Sequence, residues 1–415
     1  MAKEWTLKQG EELRIEVDVK DAVMVKLVEG TAEIFGAEMV LMREYTLSAC
    51  KLAVFTYDGC LLELSDTISK GEAVVYVSDE GVITPKVFEF FNAHRQSTVI
   101  VLGHGRNTIT RTLANYSIRS GLNPVVISID PRRNAAYFPT CLSAVVWRGV
   151  VEGDEVTMVP TSYQSDYAVS MVASLFFGST VIMDNRKLYV QLVSQLAQWV
   201  KKLPKDFHPV LITGPGTEQL DENEGLASEI VNAFSIDDVL IIGDERLSVR
   251  LSKHADIRDR IVKMPKSGGL VGWPRSGDNC AQDALVKAYF YGTMKRPLTP
   301  FTQTCKFDSV KIKNIKLDAG AGVAPMSALP VGAVRKLADQ HYQSVSTITR
   351  SLLYDVMAVL HPNSNNNDQE DSINVAGYVH VTDVDEERQT ITVLSPCPGE
   401  LPSLNFLTGK LKWIE

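Results

Sequence analysis

The sequence predicts an α/β protein with flanking β domains: an N-terminal β-sandwich, a central parallel sheet with helices, and a small, mainly β C-terminal domain. Three observations predict it. Residues 1–96 alternate apolar and polar positions with the period of two that marks half-buried strands. Residues 97–300 hold continuous apolar runs, as parallel strands buried on both faces require, alternating with helical stretches. Strand-like segments return in residues 301–415.

In the first part, Leu13-Arg14-Ile15-Glu16-Val17-Asp18-Val19 alternates strictly. Runs follow at Val23 to Leu27, Ala32 to Phe35, Lys51 to Thr56 and Leu61 to Leu64, with turns at Glu29-Gly30 and Asp58-Gly59. In the second part, Val99-Ile100-Val101-Leu102 leads through a Gly-containing turn into a helix closed by Arg119, Gly121 and Pro124, the order of a helix C-terminus. Val125 to Ile129, Val210 to Ile212 and Val239 to Ile242 read as further parallel strands. Asp184 can cap a helix whose Tyr189, Leu192, Val193, Leu196 and Val200 share one face. In the third part, Val310-Lys311-Ile312, Val375 to Val381 and Thr390 to Leu394 read as strands. The Asn-rich stretch 362–372 between them is too polar to order itself and is expected to be a mobile loop.

A net charge of -8 weighs against broad RNA binding, which depends on clustered Lys and Arg. Protein partners are expected, with RNA contacted indirectly. No apolar run reaches the ~18 residues of a membrane span, and the Met1-Ala2-Lys3-Glu4-Trp5 start lacks a signal peptide's apolar core. An intracellular protein without membrane contact is the expectation. The six cysteines and seven histidines are scattered without zinc-ligand spacing, so no metal is assigned.

Phosphates bind where the first strand of an α/β domain turns into its helix. Here the turn reads Gly103-His104-Gly105-Arg106-Asn107-Thr108. Matched to the Gly-Lys-Ser/Thr end of a P-loop (the Walker A motif), Gly105 and Arg106 take the Gly and Lys positions, and Asn107 stands at the Mg²⁺ hydroxyl with Thr108 beside it. About three loop residues are missing, on the order of 10 Å of backbone reach. A dinucleotide fingerprint is the competing match: Gly103-x-Gly105 follows a strand, and Asp130 ends the next. Its third glycine is Thr108. In a third reading, the two glycines only permit a tight turn.

Segments along nearly the whole chain resemble the Clp-type polynucleotide 5′-hydroxyl-kinase family. They include Gly30-Thr31-Ala32-Glu33-Ile34-Phe35-Gly36, Lys51 to Cys60, Asn115-Tyr116, Phe177-Gly178-Ser179-Thr180 and Asp244-Glu245-Arg246-Leu247. Pro265-Lys266-Ser267-Gly268-Gly269, Tyr289-Phe290-Tyr291-Gly292 and Val375-Ala376-Gly377-Tyr378 extend the match. The resemblance implies a sandwich over 1–96, a P-loop-type kinase domain over 97–300 and a C-terminal domain over 301–415. It also implies that Glu12 and Lys51 reach a nucleotide from the first domain. Active relatives phosphorylate RNA 5′-hydroxyls with ATP; fungal relatives have lost that activity and serve in cleavage-factor assembly.

The departures concentrate at the catalytic centre. Arg132 and Arg133 follow Asp130 where the family has Gly-Gln. The lid expected after the 184–200 helix reads Lys201-Lys202-Leu203-Pro204-Lys205, which lacks arginine's bidentate clamp. The expectation is a nuclear, non-catalytic scaffold of pre-mRNA 3′-end cleavage and polyadenylation, a pseudokinase. It has no catalytic residue and requires no cofactor; any ATP is held weakly by Glu12, Lys51, Gly105, Arg106, Asn107 and Thr108. Its expected partners are the cleavage-factor subunit that contacts the RNA polymerase II tail and other 3′-end processing factors. The alternatives are an active RNA 5′-hydroxyl kinase and a Rossmann-type oxidoreductase.

Overall fold

The computed structural model describes residues 2–68, 73–134, 138–152, 169–204, 206–223, 225–270, 275–292, 297–316, 341–362 and 374–414. The N-terminal sheet holds β1 (Lys3–Leu7), β2 (Glu12–Gly30), β3 (Glu33–Ile34), β4 (Ala37–Glu38), β5 (Glu44–Phe55), β6 (Cys60–Ile68) and β7 (Val74–Ser78). The two runs expected as separate strands at Leu13 to Val19 and Val23 to Leu27 form one strand, β2. Its register breaks between Val17 and Ala22. Such an irregularity bends a strand. The first half of β2 pairs with β7 and the second with β6, so one strand serves both layers of the sandwich. Leu13, Ile15, Val25, Val54 and Leu62 fill the core between them.

Helix α1 (Thr84–Ala93) leads into β8 (Thr98–Gly103), α2 (Arg106–Arg119), β9 (Val125–Ser128), β10 (Cys141–Trp147) and β11 (Val169–Phe176). Then come α3 (Arg186–Lys201), β12 (Val210–Thr213), α4 (Thr217–Glu222), α5 (Leu226–Phe234) and β13 (Asp238–Ile242). The domain closes with α6 (Glu245–Leu251), α7 (Ala255–Arg258), β14 (Ile261–Met264) and α8 (Arg275–Tyr291).

The central sheet runs β11-β10-β9-β12-β8-β13-β14. Its five strands from β9 to β14 are parallel, while β10 and β11 add an antiparallel edge that the apolar runs did not announce. Successive residues of β8 bury on opposite faces, as its continuous apolar run requires. Val99 and Val101 meet α1 and α2 through Val87, Phe91 and Leu113. Ile100 and Leu102 meet α3 and α5 through Leu192, Leu196 and Ile230. The cap of α3 differs from expectation: Asn185, not Asp184, accepts the Leu188 N–H at 2.9 Å. Asp184 instead takes the Ser179 hydroxyl and pairs with Lys410 at 2.7 Å.

The C-terminal sheet comprises β15 (Phe301–Lys306), β16 (Lys311–Ile315), β17 (Tyr342–Ser344), β18 (Val356–Leu360), β19 (Val375–Asp385), β20 (Thr390–Ser395) and β21 (Asn405–Thr408). Their order is β15-β20-β19-β18-β21-β16-β17. Its own core includes Met357, Val379, Ile391 and Phe406. A second apolar cluster, with Phe138, Phe176, Tyr289, Phe290, Tyr378 and Trp413, joins it to the central domain. The loop expected at 362–372 lies, Pro362 apart, outside the described residues. No described helix is long and apolar enough to cross a membrane.

Candidate functional site

Strand β8 lies inside the sheet with β12 on one side and β13 on the other, while the chain leaving it returns at β9, beyond β12. The order of the strands reverses there, and open α/β sheets hold ligands outside the carboxyl ends of strands at such a point. The turn from Gly103 to Thr108 sits at that edge. Gly103 has φ +86° and its Cα faces the Ile242 carbonyl so closely that no Cβ fits. Close packing of β13 therefore demands this glycine, whatever the turn binds. Gly105 caps α2 at φ +72°.

Helix α2 divides the turn between two environments. Gly105, Thr108, Ile109 and Thr112 recur at helical spacing and line a cleft of about 770 Å³, its open mouth included. Glu12, Glu33, Phe35, Lys51 and Phe55 close the cleft from the sandwich, and Ser267, Gly269 and Leu270 close it from the loop after β14. The structure thus brings Glu12, Lys51, Gly105 and Thr108 to the lining of one cleft. Neither sandwich residue reaches in alone. Glu12 receives a 2.7 Å hydrogen bond from Arg14 Nε, and burial nonetheless raises its carboxyl above the usual range. Lys51 Nζ lies 3.0 Å from Glu16.

Arg106 and Asn107 face the other way. The Arg106 guanidinium donates from Nε to the Gly214 carbonyl at 2.9 Å, from Nη1 to the Gly103 carbonyl at 3.4 Å, and from Nη2 to Asp130 Oδ2. It lies across the ends of β8, β9 and β12, where a P-loop would hold phosphate. Asp130 is 1% exposed, and its second oxygen accepts the Arg132 N–H at 3.0 Å. Asn107 Nδ2 donates to the Arg133 carbonyl at 3.3 Å, tying the 130–133 loop to α2.

These contacts decide which ligands fit. An aspartate engaged on both oxygens has little left for Mg²⁺ or for a ribose hydroxyl, and Asn107 presents its amide N–H₂ to a carbonyl rather than a hydroxyl to a metal. Among the described residues, no three His, Cys, Asp or Glu converge as a metal site. In this arrangement Asp130 is engaged on both oxygens and Asn107 Nδ2 on a backbone carbonyl.

The expected lid is also misplaced. Lys201 and Leu203 border a second cavity with Thr98 and Val210, the first residues of β8 and β12. That is the opposite edge of the sheet, roughly 17 Å from Gly103 at strand rise. Lys205 lies outside the described residues. A segment immediately before a parallel strand must start from that strand's amino end, so the sequence held the signal against this placement.

Other segments that carried the resemblance turn out to join domains. Glu33 accepts from the Tyr116 hydroxyl and from Arg119 at 2.8 Å. Asn115 donates to the Phe35 and Val151 carbonyls and accepts the Val151 N–H, each at 2.9 Å. Asp244, by contrast, acts within the central domain, capping α6 through the Leu247 N–H and accepting from Thr217. The Tyr378 N–H bonds the Tyr289 hydroxyl at 2.9 Å. Sequence reasoning missed Arg14, which reaches the Glu80 carbonyl and packs against Gly268 and Gly269, locking the sandwich onto the loop that closes the cleft.

Comparison with known proteins agrees with this arrangement. Three family profiles match in order: the N-terminal beta-sandwich domain of polyadenylation factor over residues 6–96, the mRNA cleavage and polyadenylation factor CLP1 P-loop over 103–292, and pre-mRNA cleavage complex II protein Clp1 over 298–415. The Protein CLP1 homolog of Drosophila ananassae is 30% identical, covering 98% of this chain and 95% of its own length. The Dictyostelium discoideum homolog is 29% identical over 99% of this chain and 89% of its own. The fungal mRNA cleavage and polyadenylation factor clp1 of Botryotinia fuckeliana is 29% identical over 94% and 89%. Among solved structures, Clp1p in two complexes with Pcf11p superposes with TM-scores of 0.85 and 0.83 at 21% and 20% identity, over 100% of this chain and 99% of theirs. That likeness concerns the fold.

Proposed function

The chain belongs to the Clp1 family of pre-mRNA cleavage and polyadenylation factors, and on that premise we propose that it is a nuclear, non-catalytic scaffold subunit of that machinery. One observation carries the reading: Arg106, at the position of the catalytic P-loop lysine, is spent on Asp130 and on the Gly103 and Gly214 carbonyls. A phosphate-bridging lysine must be free to follow its substrate, whereas this guanidinium is held by a buried carboxylate. With the shortened loop and the absent metal ligand, positioning and charge stabilisation are lost together, and phosphoryl transfer rests on little else. Any ATP held in the cleft that Glu12 and Lys51 line binds weakly and with little dependence on Mg²⁺. The partner proposed is a cleavage-factor subunit of the Pcf11 kind, since Clp1p was solved in complex with Pcf11p.

The test is transfer of the γ-phosphate of ATP to a 5′-hydroxyl RNA oligonucleotide by the purified chain. The expected result is no transfer above a no-protein control. Turnover that is abolished by Asp130→Ala overturns the non-catalytic reading and restores the kinase.

A further inference from the structure

We propose that the cavity at the amino edge of the central sheet is a binding site for an uncharged phenolic ring, held by apolar contact and by one hydrogen bond to His208. The cavity encloses about 200 Å³. A cavity of about 150 Å³ lined by aliphatic and aromatic groups already holds benzene, so this one takes a single ring with a substituent. Val200, Leu203, Phe207, Val210 and Phe234 supply its apolar walls. They come from the end of α3, the loop after it, the start of β12 and the end of α5. Val210 and Phe234 are themselves buried, and the other three pack against the central core, so the walls are set by the fold.

One polar atom of the lining residues lacks a partner. His208 Nδ1 is shut off from solvent and makes no hydrogen bond to any described residue. A buried nitrogen in that state costs free energy until something bonds it. Whether it donates or accepts depends on the tautomer of the ring. A hydroxyl does both, so a phenol meets it in either state, whereas an indole N–H only donates. Charge selects against ions of either sign. Helices α3 and α5 both end at the cavity, at Lys201 and Phe234, and the negative ends of two helix dipoles disfavour an anion. The Lys201 ammonium beside them disfavours a cation. A neutral ring with one hydroxyl satisfies the walls, the nitrogen and both charges. Its carrier is either a free phenol or the tyrosine side chain of a peptide, and the experiment separates the two.

The experiment titrates the full chain with p-cresol, toluene and N-acetyltyrosinamide and follows saturation-transfer NMR. The expected result is saturable binding of p-cresol, about fivefold tighter than toluene, which is the worth of one neutral hydrogen bond. His208→Leu should remove that margin and leave toluene binding as it was, which also shows that the cavity is still folded. Leu203→Trp, at a half-buried position, should fill the cavity and abolish binding of both compounds. If N-acetyltyrosinamide binds at least as well as p-cresol, the site belongs to a peptide's tyrosine; weaker binding assigns it to a free phenol, and either supports the proposal. No saturable binding of p-cresol, no preference over toluene, or a preference that survives His208→Leu overturns it. Displacement of p-cresol by ATP also overturns it, by putting the ring in the cleft at the other edge of the sheet. Nothing in this test involves phosphoryl transfer, so its failure leaves the non-catalytic reading standing.

Discussion

Arg106 shows how one substitution changes what a motif does. A lysine ammonium is a point charge on a flexible stem, whereas guanidinium offers a rigid fork of five donors. The fork engages Gly214, Gly103 and Asp130 together. What was a ligand-binding position in the motif becomes a staple across three strand ends. Arg106→Ala should therefore cost stability by about 3 to 5 kcal/mol, because Asp130 would remain buried without its counter-charge. Urea unfolding followed by the fluorescence of the tryptophans measures this. The double variant Arg106→Ala with Asp130→Ala should lose less than Arg106→Ala alone. A single variant within about 1 kcal/mol of wild type would mean that the pair holds nothing.

Helix α2 does the same kind of double duty at the scale of an element. Its amino end shapes the cleft and the arginine loop, while its carboxyl half fixes the sandwich. Gly36 approaches the Thr112 carbonyl at a distance that leaves a Cβ only 2.8 Å, and Asn115 ties both the β3–β4 turn and Val151 to the helix. Asn115→Ala removes three hydrogen bonds from a fully buried position and leaves their backbone partners unsatisfied, at about 1 to 3 kcal/mol for each group that water cannot reach. The expected outcome is a lower unfolding midpoint, with faster proteolysis between β7 and α1 as the sandwich loosens from the helix. An unchanged cleavage rate would show that the sandwich is held elsewhere, with Arg14, the Gly81–Gly268 hydrogen bond, the Glu33 bonds to Tyr116 and Arg119, and the Arg43–Glu152 pair among the remaining contacts.

For the whole molecule, the domains are joined by apolar contact and by polar pairs. The C-terminal sheet rests on the central domain through Phe138, Tyr289, Tyr378 and Trp413, with Lys410 reaching Asp184. A nucleotide couples to a partner only through different affinity for two arrangements of the protein. A phosphate position already filled by Arg106 offers little such difference. Full-length protein captured from nuclear extract should thus retain 3′-end processing factors equally with and without ATP. Recovery of none would overturn the proposed role, and recovery only with ATP would overturn the independence.

The sequence by itself determined the order of the three domains and most of the strands, because period and apolar runs are local properties of a chain. β8, β9, β12 and β13 announced themselves through residues buried on both faces. The antiparallel β10 and β11 did not, nor did the single bent course of β2, since pairing partners and register breaks depend on distant segments. The motif spacing also marked the turn at Gly103 to Thr108 as the place for chemistry. Only the tertiary structure decided which way each side chain of that turn faces. Gly105 and Thr108 open to the cleft, while Arg106 turns to Asp130, and Lys201 and Lys202 lie beyond the far edge of the sheet. The reason is geometric: a helix turns about 100° per residue and a parallel strand has two distinct ends, so neighbours in a motif are sent to different environments by the elements that carry them.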